Sequence, residues 1–85
     1  MTTEAIRAQI KQSISTVTGI DVADIPDSAA YRDDLGLDSL SILEVAINVE
    51  FHYKLEVPEE ELKEIRNIDD TVAVIQRHLQ AKAAA

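Results

Sequence analysis

Val45-Ala46-Ile47-Asn48-Val49-Glu50-Phe51-His52-Tyr53-Lys54-Leu55-Glu56-Val57 alternates without a break. Large apolar side chains at Val45, Ile47, Val49, Phe51, Tyr53, Leu55 and Val57 are separated by Ala46, Asn48, Glu50, His52, Lys54 and Glu56. A period of two puts successive side chains on opposite faces, so by period alone this stretch is a half-buried strand. A helix through the same residues, begun near Ser39, needs two apolar stripes. Leu40, Leu43, Ile47 and Phe51 form one; Ile42, Val45, Val49 and Tyr53 form the other. Such a helix must bury both stripes or use one to bind something. On pattern alone the strand reading is the favoured one for residues 45–57.

The flanking sequence is helical. Ile6, Ile10, Ile14 and Val17 recur at one helical face and predict a helix over residues 3–18. Thr3 is a suitable cap, Glu4 is well placed in the first turn, and Gly19 is a plausible stop. Residues 19–37 read as a long loop holding Gly19, Pro26, Gly36 and five Asp. Loops of that length in a small domain usually carry function or are disordered. Ile20, Val22, Ile25, Leu35 and Leu37 could pin this one to a core. Beyond the alternating stretch, Pro58 suits the start of a short helix with Glu59, Glu60 and Glu61 in its first turn, and Leu62 and Ile65 facing inward. A last helix is predicted over residues 69–82, capped by Asp69 or Asp70, with Val72, Ile75 and Leu79 inside and Arg77, His78 and Lys82 towards its C-terminal end. The final Ala-Lys-Ala-Ala-Ala is expected to fray. No internal repeat is visible.

Composition narrows the function classes. The 85 residues make one domain, residues 1–85, with room for a single core. Aromatics are limited to Tyr31, Phe51 and Tyr53, so the core is built from aliphatic side chains. The formal charge is −8, and the segment Asp33–Glu64 alone carries all of it. That excludes nucleic acid as the expected partner, because phosphate binding needs clustered Lys and Arg. It also argues against anionic membranes and favours basic protein surfaces. A solvated acidic face that maintains solubility accounts for the same charge. There is no cysteine, hence no disulfide framework and no Cys-based metal site. No apolar run is long enough to insert into a membrane, and Met-Thr-Thr-Glu-Ala is not a signal pattern. A cytoplasmic, free-standing monomer is expected.

Within the acidic third lies Asp33-Asp34-Leu35-Gly36-Leu37-Asp38-Ser39-Leu40. Local structure explains part of it: Asp38 can cap a helix whose first residue is Ser39, with Ser41 and Glu44 imitating a capping box. The whole segment, however, resembles the modification site of the acyl carrier protein family. The surroundings over residues 3–80 match as well: an amphipathic helix and long loop before it, and an apolar helix, a turn at Glu56-Val57-Pro58, a short acidic helix and a closing helix after it.

This resemblance implies an all-α four-helix bundle, with three longer helices, a short third one, and a long loop between the first two. It makes residues 39 to about 53 the second helix and so overrules the strand. It implies that Ser39 accepts 4′-phosphopantetheine from coenzyme A, covalently, through a separate Mg²⁺-dependent phosphopantetheinyl transferase that reads Asp38. A serine at a helix N-terminus suits a phosphate on physical grounds, and the arm's thiol would hold the cargo as a thioester. Leu40, Ile42 and Glu44 resemble the partner-facing surface, met by acyl-transferring, condensing and chain-modifying enzymes with basic docking patches. Ile47, Val57, Leu62 and Ile65 are candidates for an acyl pocket, and the same four suit plain core packing.

Two departures from the family pattern bear on the pathway. Ser41 stands where fatty-acid carriers usually have an acid, and Glu50-Phe51-His52-Tyr53 replaces an acidic cluster. A specialised acyl or polyketide-type pathway is therefore as well matched as housekeeping fatty acid synthesis, while Asp38 argues against aminoacyl loading. A serine hydrolase is disfavoured, since Ser39 has no G-x-S-x-G elbow. The loop aspartates lack EF-hand spacing, which disfavours a calcium site. A non-catalytic acidic interaction module without a prosthetic group is the remaining alternative.

Overall fold

The computed structural model describes residues 2–84. Helix α1, Thr3–Thr18, has Ile6, Ile10 and Ile14 fully buried along one face. Its cap is Thr2, whose Oγ1 accepts from the Ala5 N–H at 3.1 Å, so the expected cap Thr3 is already helical. Gly19 ends the helix in the left-handed region (φ 81°), its N–H donating to Ser15 O at 2.8 Å.

Helix α2, Ser39–Tyr53, occupies the stretch whose alternation favoured a strand. The buried residues are Ile42, Val45, Ala46, Val49 and Tyr53, which is helical spacing. The reason the pattern misleads is arithmetic. Four residues are two strand periods and also close to one helical turn, so Val45, Val49 and Tyr53 satisfy both readings. The intervening members separate them: Ile47 is 49% and Phe51 86% exposed, on the stripe that begins at Leu40. The helix ends at Lys54, in the left-handed region at φ 56°.

Helix α3, Glu59–Leu62, follows Pro58, which stands at the cap position just before the helix. Helix α4, Ile68–Ala84, starts one residue earlier than expected because Asn67 caps it, its Oδ1 accepting from Asp70 N at 2.7 Å. Asp69 is drawn away to Arg7 on α1 (2.7 Å), and Asp70 accepts from Arg66 N at 3.0 Å. The alanine-rich end is helical through Ala84. Lys82 Nζ reaches the Tyr53 and Lys54 carbonyls at 3.4 and 3.2 Å, satisfying orphan acceptors at the end of α2.

Helix α1 packs on α2 and α4. Between α1 and α2, Ser13 is fully buried and donates to Asn48 Oδ1 at 2.7 Å. The long first loop closes the bundle. It contains a short 3₁₀ turn, Val22–Asp24, and then buries Ile25, Ala29, Tyr31 and Leu37. An isolated antiparallel bridge pairs Ala30 with Asn67, with Tyr31 N donating to Arg66 O at 2.9 Å and Ile68 N to Ala29 O at 3.1 Å. The loop is thereby fixed to the segment between α3 and α4.

Tyr31 is fully buried, and its hydroxyl pairs with that of Thr71. Burial pushes the phenol up to about 12, more strongly than the Thr71 hydrogen bond lowers it. The folded state therefore holds a proton that the unfolded chain releases near pH 10. This contribution is complete below pH ~10 and is lost as pH rises towards about 12. Tyr31→Phe should cost about 1 kcal/mol at neutral pH, one hydrogen bond, because Thr71 keeps its bond to Asn67 O. The variant should also show a shallower loss of stability on the alkaline side. Urea midpoints for both proteins between neutrality and pH ~11.5 check both statements.

Candidate functional site

The start of α2 is built by the residues before it. Tyr31 O accepts from Leu37 N at 2.9 Å, and Gly36, at φ 66°, donates to Arg32 O at 3.0 Å. This tight turn buries Leu37 and delivers Asp38 in an extended conformation. Asp38 Oδ1 accepts from Ser41 N at 2.8 Å and its carbonyl accepts from Ile42 N at 3.0 Å, so Asp38 is the cap and Ser39 the first helical residue. Ser39 is consequently exposed at the positive end of the helix dipole.

The Ser41 backbone and side-chain hydrogen bonds hold the Asp38 carboxyl below its ordinary range, with a smaller contribution from the nearby Arg32 charge. A depressed carboxyl stabilises the fold above its unfolded pKa of about 3.9 and loses that contribution as pH falls through the lower folded value. Asp38→Ala should therefore lower the urea midpoint at neutral pH. The gap from the parent protein should close as pH drops below ~3.9, and a gap constant down to pH ~2.5 would show that the carboxylate charge is not what caps α2.

A guanidinium N–H of Arg32 donates to Ser39 Oγ. Both residues border a cavity of about 590 Å³ that opens between α2, α3 and the loop. Ile42, Leu43, Leu62 and Ile65 give it an apolar lining, while Arg32, Asp33, Glu59, Lys63 and Arg66 supply charge. Of the four residues expected to line a pocket, Leu62 and Ile65 do so. Val57 is buried but does not border the cavity, and Ile47 stands half-exposed outside it. Ile42, expected on the partner-facing surface with Leu40 and Glu44, is 7% exposed and lines the cavity. Leu40 (63% exposed) and Glu44 lie on the surface. The two isoleucines exchange places because Ile42 belongs to the buried stripe with Val45 and Val49, and Ile47 to the stripe of Leu40 and Phe51.

Sequence reasoning missed Arg32, Leu43, Lys63 and Arg66. The available signal was Arg32 itself, the one Lys or Arg between Lys11 and Lys54, immediately ahead of Asp33-Asp34. Three of the five loop carboxylates are otherwise engaged: Asp21 caps the 3₁₀ turn, Asp27 pairs with Lys11, and Asp34 accepts from Ala30 N at 2.8 Å. Among the described residues no helix is long and apolar enough to cross a membrane.

The arrangement suits a phosphodiester on Ser39. The oxygen is exposed, a guanidinium lies against it, helix N–H groups stand behind it, and an apolar cavity opens beside it. Comparison with known proteins gives the family. Residues 8–75 match the family described as phosphopantetheine attachment site. The chain is 40% identical over 83 residues to an acyl carrier protein of Rhodococcus erythropolis, covering 98% of this chain and 90% of that protein. It is 40% identical over 77 residues to the meromycolate extension acyl carrier protein of Mycobacterium tuberculosis, covering 91% of this chain and 67% of the relative. An acyl carrier protein of Myxococcus xanthus is 31% identical over 72 residues, 85% of this chain and 91% of the relative. The chain belongs to the acyl carrier protein family, whose members carry acyl groups on phosphopantetheine.

Proposed function

We propose that Ser39 is the attachment point and that this protein delivers acyl thioesters of the fatty-acid type to its partner enzymes. The observation that carries the assignment is the placement of Ser39 Oγ: exposed at the first position of α2, met by Arg32, and at the rim of an apolar cavity. The arm, when present, supplies a terminal thiol for the cargo. The chain's own residues present and shelter it. Asp38 fixes the helix start that aims the hydroxyl outward, Arg32 supplies positive charge where the phosphate sits, and Ile42, Leu43, Leu62 and Ile65 offer an acyl chain an apolar surface. The protein itself performs no bond chemistry on the cargo.

A phosphopantetheinyl transferase loads the arm, reading Asp38 beside the serine. Acyl-transferring, condensing and chain-modifying enzymes dock on the exposed stripe of α2. Leu40, Ile47 and Phe51 enter apolar depressions there and Glu44 pairs with basic side chains. The uncharged outer end of that stripe, at Phe51, fits partners with a less basic rim than the −8 charge alone would suggest. The relatives named for meromycolate extension support a cargo that is a growing fatty chain. We place the protein as a monomer in the cytoplasm, where coenzyme A and the transferase meet it.

The test is intact mass after incubation with coenzyme A, Mg²⁺ and a broad-specificity transferase. A gain of one phosphopantetheine is expected. A folded protein that gains nothing with several transferases would sink the assignment.

A further inference from the structure

We propose that Arg32 is a positioning residue for the prosthetic group: its guanidinium holds the phosphodiester on Ser39 and turns the arm over the cavity between α2 and α3. The inference rests on Ser39 as the attachment point and concerns where the arm then lies.

Arg32 is out of keeping with its surroundings. The protein carries −8, and the next residues are Asp33 and Asp34. The acidic surroundings, Asp38 included, favour a cation there, yet the guanidinium is directed past Asp33 and Asp34 to Ser39 Oγ. The backbone that carries it is fixed, since Tyr31 is buried and tied to Arg66 O, and Gly36 N closes the turn on Arg32 O. The backbone that carries the cation is therefore fixed beside the serine, and the guanidinium reaches Ser39 Oγ from it.

Donation by Arg32 uses a lone pair of Ser39 Oγ and leaves the hydroxyl hydrogen free for removal. When Oγ gains phosphorus and loses that hydrogen, the bridging oxygen becomes a poor acceptor. The non-bridging oxygens, which carry the negative charge, are the better partners for a planar guanidinium. Because Arg32 borders the cavity, a phosphate drawn to it lies on the cavity side of Ser39. The opposite course, along the exposed stripe of α2, offers Glu44 as its nearest charged residue on the helix and would repel the phosphate. Across the cavity rim, Lys63 and Arg66 add positive charge, each only loosely engaged with a carboxylate at 4.0 Å, so that with Arg32 the lining holds three cations against the two acids Asp33 and Glu59. An arm laid this way places its thiol end over Leu62 and Ile65, partly shielded from solvent.

The experiment compares the loaded parent protein with loaded Arg32→Ala, Arg32→Lys and Lys63→Ala, each first checked by intact mass for a single arm. Two readouts follow: the ³¹P resonance of the phosphodiester, and the rate at which iodoacetamide alkylates the arm's thiol. Arg32→Ala should shift the ³¹P resonance and speed alkylation about two- to fivefold, the range expected for one exposed charge pair. Arg32→Lys should restore part of both, because it keeps the charge and loses the two-pronged geometry. Added salt should move the parent's resonance towards that of Arg32→Ala. Lys63→Ala should change the ³¹P resonance least. Equal resonances and equal alkylation rates in loaded parent and Arg32→Ala would overturn the positioning role while leaving Ser39 as the attachment point. Failure of the parent to gain an arm would overturn both.

Discussion

Ser39→Ala is expected to leave the protein folded as before and wholly unable to take up phosphopantetheine. The two halves of that result have separate causes. Ser39 is exposed, it is the first residue of α2, and its side-chain oxygen is engaged by Arg32 rather than by the helix. Asp38 keeps its hydrogen bond to Ser41 N in the variant, so the cap that starts α2 survives. Alanine is also a better helix former than serine. The unfolding midpoint should therefore stay within about 0.5 kcal/mol of the parent. Loading, by contrast, needs an oxygen at that position, and no repacking can provide one. Intact mass with the transferase and coenzyme A should show the full gain for the parent and none for the variant. Circular dichroism and a urea titration on the same sample establish that the variant is folded. Residual loading of a folded Ser39→Ala would move the attachment to another hydroxyl. Ser41, two residues along and partly covered, is the nearest on the helix.

How much of this could be read from the sequence varies by element. Helix α1 was legible in both bounds, because Ile6, Ile10 and Ile14 leave one face apolar and Gly19 stops it. The caps were legible only to within a residue or two. Thr2 and Thr3 are equivalent on paper; for α4 the expected caps Asp69 and Asp70 give way to Asn67, since Asp69 meets Arg7, sixty-odd residues earlier in the chain, and Asp70 accepts from Arg66 N. The helical tail was missed because its support is also long-range: Lys82 finds the free carbonyls at the end of α2. At the site, Asp38 and Ser39 are adjacent and carried a recognisable local pattern. Arg32 and the cavity walls did not, since they meet only when the loop bridges to Asn67. Only the family resemblance separated helix from strand for α2, and its residues show why. A stripe at every fourth position is common to both periods, so the decision rests on Ile47 and Phe51, which are apolar in either reading.

Those two residues make the helix assignment and the division of labour on α2 testable together. In a half-buried strand, Val45, Ile47, Val49 and Phe51 share one face and truncating any of them empties part of a core. In the helix, Val45 and Val49 are fully buried while Ile47 and Phe51 are 49% and 86% exposed. Val45→Ala and Val49→Ala should each cost about 2 kcal/mol, from two methyl groups removed plus the cavity left behind. For a domain of this size that is a fall of about 8–16 °C in Tm. Ile47→Ala and Phe51→Ala should stay within about 0.5 kcal/mol of the parent, and alanine's helix propensity could make Phe51→Ala slightly stabilising. The functional ordering should be the reverse. Once loaded, Val45→Ala and Val49→Ala should serve an acyl-transferring partner nearly as well as the parent at a temperature where they are folded, whereas Ile47→Ala and Phe51→Ala should raise KM. Four equal losses of stability would restore the strand. Unequal losses with no change in KM at Ile47 or Phe51 would keep the helix and leave the exposed stripe without a partner, because an apolar side chain so far out of the core contributes nothing to folding that would account for its presence.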